Sequence, residues 1–194
     1  NRILKASLKE EKSGLLKMII TRGVGGRGYK FEKNMDPTII FLSLQKPKLE
    51  KKYFKSGVTV KICKTQLSKN TNLFGFKHLN RLDSVLARSE WDDKKIFEGV
   101  FLDSKQNILE GTMTNIFFVQ KKILFTPPII DSGINGVMRQ VVIDNAKFFF
   151  DKVITQKINL KDIKKFDQMF LTNSVLKVMP VFRFGEKKFI INKN

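Results

Sequence analysis

Short apolar runs, rich in β-branched residues and separated by turn residues, constrain the fold of this chain more than any other feature. Such runs predict β-strands. Helical spacing of apolar residues is found in fewer places, and the two patterns do not alternate regularly. The sequence therefore predicts the α+β class, with more strands than helices. Strands are predicted at 15–21, 38–44, 58–63, 96–102, 108–109, 116–119, 123–125, 153–156, 169–172, 178–182 and 189–191.

Three helices are predicted among these strands. Apolar Leu82, Val85 and Leu86 recur at helical spacing within 80–94, with charges on the other face, which predicts an amphipathic helix. Gly136 opens a second helix that runs to about residue 150, and a short third helix is predicted at 160–165. The strands between 96 and 125 are joined by short turns, so we expect them to form a meandering sheet.

A polar, lysine-dense stretch that contains Pro47 separates the second and third strands, and its composition is typical of a linker. We therefore predict a small N-terminal domain that ends near residue 46, a linker at 47–55 and a large domain at 56–194. The charged segment from Lys5 to Lys12 resembles the end of a helix, so we expect an N-terminal segment to precede Asn1.

The net charge of +19 would attract anionic partners, nucleic acids among them. The lysines are spread along the chain without an arginine-rich arm or an RNA motif with interleaved aromatics, which makes nucleic-acid binding unlikely to be the function. Cys63 and His78 are the only cysteine and the only histidine, so an internal disulfide and a cysteine-histidine metal site are excluded. The apolar runs fall short of the roughly 18 residues of a membrane helix. We expect a cytoplasmic protein.

The segment from Arg22 to Tyr29 is glycine-rich, and Gly23, Gly25 and Gly28 match a dinucleotide-binding pattern. That pattern also requires a helix behind the loop, and the polar residues before Pro37 do not predict one. A flexible loop that presents Arg27 and Tyr29 to a substrate carboxylate fits better, because a guanidinium donates a fork of hydrogen bonds. A plain turn with solvated arginines remains the alternative.

Three further segments hold candidate catalytic groups. Lys77 follows Phe74 and Phe76 and precedes Leu79, and an apolar setting would favour the neutral amine that attacks a carbonyl. Glu110 is predicted to lie in a turn of small residues between two strands, where it could accept the proton of a pyridinium nitrogen. An ordinary acid in a β-turn is the alternative. The glycine loop that begins at Gly133 opens a helix, whose first N–H groups favour a phosphate. Alone, that loop would indicate only a helix start.

Taken together in this order, the four segments closely resemble the class IV pyridoxal-phosphate enzymes, the family of branched-chain and D-amino acid aminotransferases and aminodeoxychorismate lyases. The resemblance extends from about Gly14 to Val181. The sequences KHLNRL at 77–82, RGVGGRGY at 22–29 and VMPV at 178–181 are similar to the lyase branch.

The resemblance implies a two-domain, fold-type IV enzyme that lacks the start of its small domain here. It implies that Lys77 forms a Schiff base with pyridoxal 5'-phosphate, that Glu110 pairs with the pyridine nitrogen, and that Asn115 belongs to the strand beside it. Ile134 would face the ring, and Arg27 and Tyr29 would bind the substrate. The implied phosphate donors are the backbone amides of Val137 and Met138 together with Asn173 and Ser174.

For the lyase branch, the implied reaction converts 4-amino-4-deoxychorismate to p-aminobenzoate and pyruvate in folate biosynthesis, with Lys77 as the base. The family also implies a homodimer. Transamination of a branched-chain or D-amino acid is the alternative within the family, and a basic nucleic-acid-binding module is the alternative outside it.

Overall fold

A computed structural model describes residues 14–191 of the chain, so the helix end predicted at 5–12 lies outside the described residues. The chain divides into two compact units, Asn1–Lys48 (unit 1) and Leu49–Asn194 (unit 2). Part of the predicted linker is in fact a helix of unit 2, α1 (Lys51–Ser56). Its Tyr53 ring packs edge-on against Phe97 at 5.6 Å between centroids, and this contact holds the lysine-rich helix against the core of unit 2.

Unit 1 contains an antiparallel pair of strands, β1 (Gly14–Ile20) and β2 (Ile39–Gln45), which confirms both predictions to within one residue. The glycine-rich loop connects them. Gly23 has a φ of 102°, and a side chain there would collide with the carbonyl oxygen of Asp36. Within 21–38 no residue is helical, so the dinucleotide-binding interpretation lacks the helix that it needs.

The described part of unit 2 is built on a ten-stranded sheet. All strands predicted between 58 and 182 are present, and their ends differ from the prediction by at most two residues. Two features differ from the prediction. The two-residue strand β9 was not predicted, and the second arm of the closing hairpin is β12, because Phe189 leaves the sheet and is buried in the core. The strands are β3 (Val58–Ile62), β4 (Ile96–Leu102), β5 (Asn107–Gly111), β6 (Asn115–Gln120), β7 (Ile123–Thr126), β8 (Lys152–Thr155), β9 (Ile158–Asn159), β10 (Gln168–Asn173), β11 (Lys177–Phe184) and β12 (Lys187–Lys188).

The strand order is β8-β7-β6-β10-β11-β3-β4-β5-β9, with β12 on β11. β4 pairs with β5 and β6 pairs with β7, as the meander predicted at 96–125 requires, but β5 and β6 are not neighbours in the sheet. Four strands lie between β5 and β6, although only Thr112–Thr114 connect them in sequence. The steps from Gly111 to Asn115 span at most about 14 Å, whereas a flat sheet would hold the two strands about 24 Å apart. The sheet must therefore curl until β5 and β6 meet, and Gly111 N–H indeed donates to Thr114 O at 2.7 Å.

Alternating side chains of the sheet enter different apolar clusters, as the two-residue period of a strand requires. In β6, Ile116 and Phe118 join the largest cluster, which strands from both ends of the curled sheet share. Phe117 and Val119 belong to another cluster, which includes residues of the helix α3 (Val137–Asn145). Short 3₁₀ helices at Ala146–Phe148 and Leu160–Lys165 complete the unit.

The helix predicted at 80–94 is shorter, and the face that it buries is not the predicted apolar face. It is α2 (Leu82–Arg88), and its buried residue is Ala87, which packs with Trp91 and Phe101. The apolar residues that suggested an amphipathic helix, Leu82, Val85 and Leu86, are 62%, 63% and 50% exposed. Helical spacing identified the helix correctly but not its buried face. The helix packs through the small side chain of Ala87, which contacts the cluster that contains Phe101 of the sheet.

Glu90 ties α2 to the segment that leads to Lys77. Its carboxylate accepts hydrogen bonds from the backbone N–H groups of Lys64 at 2.8 Å and Thr65 at 2.7 Å. Burial raises the pKa of Glu90, but these hydrogen bonds outweigh it and lower the pKa to about 2. A carboxyl with a lowered pKa stabilises the fold at neutral pH and loses that contribution as the pH falls from about 4.5 to about 2.

We predict that Glu90→Gln lowers the unfolding free energy of unit 2 at pH 7 by about 1 to 3 kcal/mol. The difference in unfolding free energy between Glu90→Gln and wild type should become smaller as the pH falls below neutrality. Fluorescence of Trp91, the only tryptophan, reports the unfolding next to the substituted residue. Asp92→Asn removes an exposed carboxylate from the same turn and should change little. A Glu90→Gln effect that does not depend on pH would contradict this account.

Candidate active site

The peptide group of Ile134 is held from both sides in unit 2. Its N–H donates to Glu110 Oε2 at 2.8 Å, and its carbonyl accepts from Asn115 Nδ2 at 2.8 Å. Gly133 precedes it with a φ of 86°, and a side chain there would come within 3.1 Å of Glu110 Oε2. The glycine is therefore needed both for its backbone conformation and for its small size.

Glu110 lies within strand β5, near its end, and not in the turn where the sequence pattern placed it. It is 2% exposed, and its second oxygen, Oε1, accepts from Arg81 Nη2 at 3.3 Å. Burial raises the pKa of Glu110, and the Ile134 hydrogen bond and the charges of Arg81 and Lys77 oppose that rise. A buried carboxylate with a raised pKa is a strong acceptor for a ligand N–H.

Lys77 lies in the segment that leads into α2, two residues after Gly75. Gly75 N–H donates to Gly133 O at 2.9 Å, and Gly75 O accepts from Asn135 N–H at 3.0 Å, so this segment is anchored beside the Ile134 loop. Lys77 is close enough for its charge to act on Glu110. The predicted apolar setting of Lys77 is wrong for this unit: Lys77 itself, Phe74, Phe76 and Leu79 are all exposed.

Helix α3 begins next to the same loop and has no side-chain cap at its N-terminus. Its first N–H groups, at Val137 and Met138, therefore have no intrahelical acceptors, as at any helix start. Gly136 cannot carry a side chain because Asn115 Oδ1 occupies that space. Arg139, 7% exposed, donates to Asn135 Oδ1 at 3.2 Å and to Pro127 O at 3.1 Å, while its buried Nε has no partner among the described residues. Burial lowers the pKa of Arg139.

Asn173 and Ser174 lie where β10 turns into β11. Asn173 Oδ1 accepts from the N–H groups of Val175 and Leu176, and Nδ2 donates to Met113 O at 3.1 Å. The Asn173 side chain thus stabilises this turn and joins it to the loop before Asn115. Ser174 is exposed. A phosphate contact from either residue remains a prediction.

Sequence patterns did not identify Glu98, although it shapes the site. It is fully buried, and its Oε1 accepts from Gly99 N–H and from the N–H and hydroxyl of Thr112, the latter at 2.5 Å. Its Oε2 accepts from Met113 N–H and the Thr114 hydroxyl. Burial raises the pKa of Glu98. These bonds hold the loop that connects Glu110 to Asn115, and nothing in the local sequence reveals them.

Unit 1 contains Arg27 and Tyr29 in its glycine-rich loop. Both side chains are exposed, Tyr29 completely. In the same loop the Arg22 guanidinium stacks over the Phe31 ring at 3.4 Å from its centroid. The assignment of Arg27 and Tyr29 to the substrate remains a prediction.

The fold is that of the fold-type IV pyridoxal-phosphate enzymes, to whose solved structures it is similar. The family model "Amino-transferase class IV" matches residues 1–184. The chain therefore belongs to the class IV aminotransferase family, as the sequence motifs predicted.

Similar proteins include members of both branches of the family. The chain is 34% identical to an aminodeoxychorismate lyase of Vibrio harveyi, over 92% of this chain and 65% of the relative. It is 33% identical to a Methanocaldococcus jannaschii protein provisionally named a branched-chain-amino-acid aminotransferase, over 92% of this chain and 61% of that protein. The crystal structure of the 4-amino-4-deoxychorismate lyase of Pseudomonas aeruginosa matches with a TM-score of 0.88 and 32% identity, over 92% of this chain and 66% of that one.

The chain thus spans somewhat less than two thirds of the length of these curated relatives. Within residues 14–191, none of the helices has the length and apolar character needed to cross a membrane.

We predict that Asn115→Ala loosens the Ile134 loop, because the Ile134 carbonyl then loses its donor. The unfolding free energy of unit 2 should fall by about 1 to 2 kcal/mol, with faster hydrogen exchange around Ile134. Asn145→Ala is the matched control, since Asn145 Nδ2 makes the same kind of bond to Val141 O at 2.8 Å on an exposed helix end. An equal loss of unfolding free energy in both variants would show that the hydrogen bond from Asn115 to the Ile134 carbonyl is no stronger than one at the surface.

Proposed function

We propose that this chain is part of a pyridoxal-phosphate-dependent lyase that converts 4-amino-4-deoxychorismate to p-aminobenzoate and pyruvate. The observation that carries the proposal is that Glu110 is buried and fixed by the Ile134 N–H, while Gly75 anchors the segment that contains Lys77 to the same loop. Because the chain spans 65% of its lyase relative, the activity proposed is that of the complete protein.

The chemistry of the donor set fits pyridoxal 5'-phosphate. Lys77 is an exposed amine that can hold the cofactor covalently, and Glu110 is the acceptor for its ring nitrogen. At the start of α3, the Val137 and Met138 N–H groups and the positive end of the helix suit a phosphate. Gly133 and Gly136 let the loop pack directly against Glu110 and Asn115, which a side chain at either position would displace. Asn173 and Ser174 would add donors to the phosphate.

When bound, the cofactor supplies an electron sink for negative charge on the carbon attached to the substrate amine. Glu110 keeps a proton on the ring nitrogen, because its carboxylate is held in place and excluded from water. Once the substrate amine has replaced Lys77 on the cofactor, the free Lys77 Nζ would remove the proton from the carbon that bears the amine. The bond from the substrate ring to the enolpyruvyl oxygen then breaks, and the enolpyruvate takes up a proton to leave as pyruvate.

Transamination of a branched-chain or D-amino acid is the second candidate, since a relative with the branched-chain aminotransferase name is nearly as similar as the lyase. The KHLNRL sequence at 77–82 favours the lyase, because it belongs to that branch by resemblance. Its arginine, Arg81, contacts Glu110, so the distinctive sequence lies at the reacting centre.

Release of pyruvate separates the two candidates. With 4-amino-4-deoxychorismate as the sole substrate, we expect the complete protein to form pyruvate and p-aminobenzoate in equal amounts without an oxo-acid acceptor. Lys77→Ala should abolish both products, and the exposed-lysine control Lys94→Ala should retain them. Amino-group transfer that depends on an added oxo acid, with no pyruvate from 4-amino-4-deoxychorismate, would contradict the lyase and support the aminotransferase.

Arg27, with Tyr29 nearby, is proposed to bind a substrate carboxylate, and its substitution tests substrate recognition separately from the cofactor. Arg27→Lys keeps the charge but loses the fork of donors. Loss of a charge-assisted pair costs about 1.5 to 3 kcal/mol, or about tenfold to over a hundredfold in kcat/KM. The cofactor absorbance should not change. Arg22→Lys, in the same loop but stacked on Phe31, is the control, and equal kinetics for Arg27→Lys and wild type would refute the assignment.

A homodimer and a cytoplasmic location complete the proposal. Nucleic-acid binding, suggested only by the charge of +19, would require an affinity that falls steeply with salt.

A further inference from the structure

We propose that Arg81 is a positioning residue that keeps the Glu110 carboxylate ionised and correctly aimed before any cofactor binds. Arg81 lies immediately before α2. Its Nη2 donates to Glu110 Oε1 at 3.3 Å and to Ser84 Oγ at 3.0 Å. The Ser84 contact fixes the guanidinium to the first turn of the helix.

The solvent exposure of Arg81 and Glu110 shows which of the two residues needs the other to stay charged. The Arg81 side chain is 21% exposed and keeps some contact with water, whereas that of Glu110 is only 3% exposed. A buried carboxylate without a cation tends to take up a proton, because burial disfavours its charged form. Arg81 therefore matters more to Glu110 than Glu110 matters to Arg81.

The hydrogen bonds on Glu110 leave room for a ligand. Oε2 accepts from Ile134 N–H and Oε1 accepts from Arg81, so each oxygen has one donor and a second lone-pair direction. With both donors in place, the carboxylate cannot rotate but can still accept from a ring N–H. A protonated carboxyl would instead present a donor and could not hold a proton on the ring nitrogen.

The other charged groups near Glu110 do not replace Arg81. Lys77 acts on Glu110 only through its charge, and it is the exposed amine proposed to hold the cofactor. The second buried carboxylate, Glu98, is engaged by five donors from Gly99 and residues 112–114. Arg81 is thus the one cation hydrogen-bonded to Glu110 in the part of the chain that the structure describes.

The role in catalysis rests on the proposed function, but the ionisation of Glu110 is a property of the cofactor-free chain. The test is a ¹³C NMR titration of the glutamate carboxyl carbons, in which the Glu110 signal is the one absent from Glu110→Gln. In Arg81→Gln we expect the Glu110 midpoint to rise by about 1 to 3 pH units, the size of the effect of a neighbouring opposite charge. The control Lys69→Gln, which removes an exposed cation paired with Asp131, should leave that midpoint unchanged.

Arg81→Lys separates charge from geometry and serves also if Arg81→Gln does not fold. It keeps a cation before α2, so the midpoint should rise by less than in Arg81→Gln, but it should still rise because one ammonium cannot easily contact both Ser84 and Glu110. The proposal would be overturned if the Glu110 midpoint were the same in wild type and in both Arg81 variants. If only Arg81→Lys folds, an unchanged Glu110 midpoint in that variant would overturn it. The lyase assay is independent: an inactive protein with the expected titration would refute the lyase and leave the role of Arg81 intact.

Discussion

The candidate site depends on one peptide group, that of Ile134, because two strands of the curled sheet hold it from opposite sides. Glu110 of β5 accepts its N–H, and Asn115 of β6 donates to its carbonyl. These two hydrogen bonds set the direction in which the chain enters α3. They also immobilise the buried carboxylate, so that the acceptor for a ring nitrogen and the helix start for a phosphate belong to one rigid arrangement.

The curl of the sheet makes this arrangement possible. β5 and β6 would be far apart in a flat sheet, yet the loop of three residues between them requires their ends to meet. Glu98 stabilises that loop by accepting four hydrogen bonds from residues 112–114. Arg81, immediately before α2, contacts the other buried carboxylate, that of Glu110. Glu98 thus shapes the backbone of the loop, and Arg81 is the residue that we propose keeps Glu110 charged.

Local patterns predicted most of the strands and the order of the motifs, because the two-residue period is a property of each strand by itself. They failed where the outcome depends on distant residues. The exposure of Leu82 and Val85 could not be predicted locally, because the buried face of the helix is set by Ala87, which packs against Trp91 and Phe101. The helix at Lys51–Ser56 is held by a contact of Tyr53 with Phe97, and its composition alone resembled a linker. Lys77, Glu110 and Asn115 were identified by resemblance, whereas Glu98 and Arg81 needed coordinates.

Lys77, among the many lysines of this chain, is the one that we propose holds the cofactor. Borohydride reduction of the complete protein with pyridoxal phosphate, followed by peptide mapping, tests it most directly, because the reduced link survives digestion. The account predicts a single pyridoxyl group on Lys77. A group on another lysine, or a spread over several surface lysines, would contradict it.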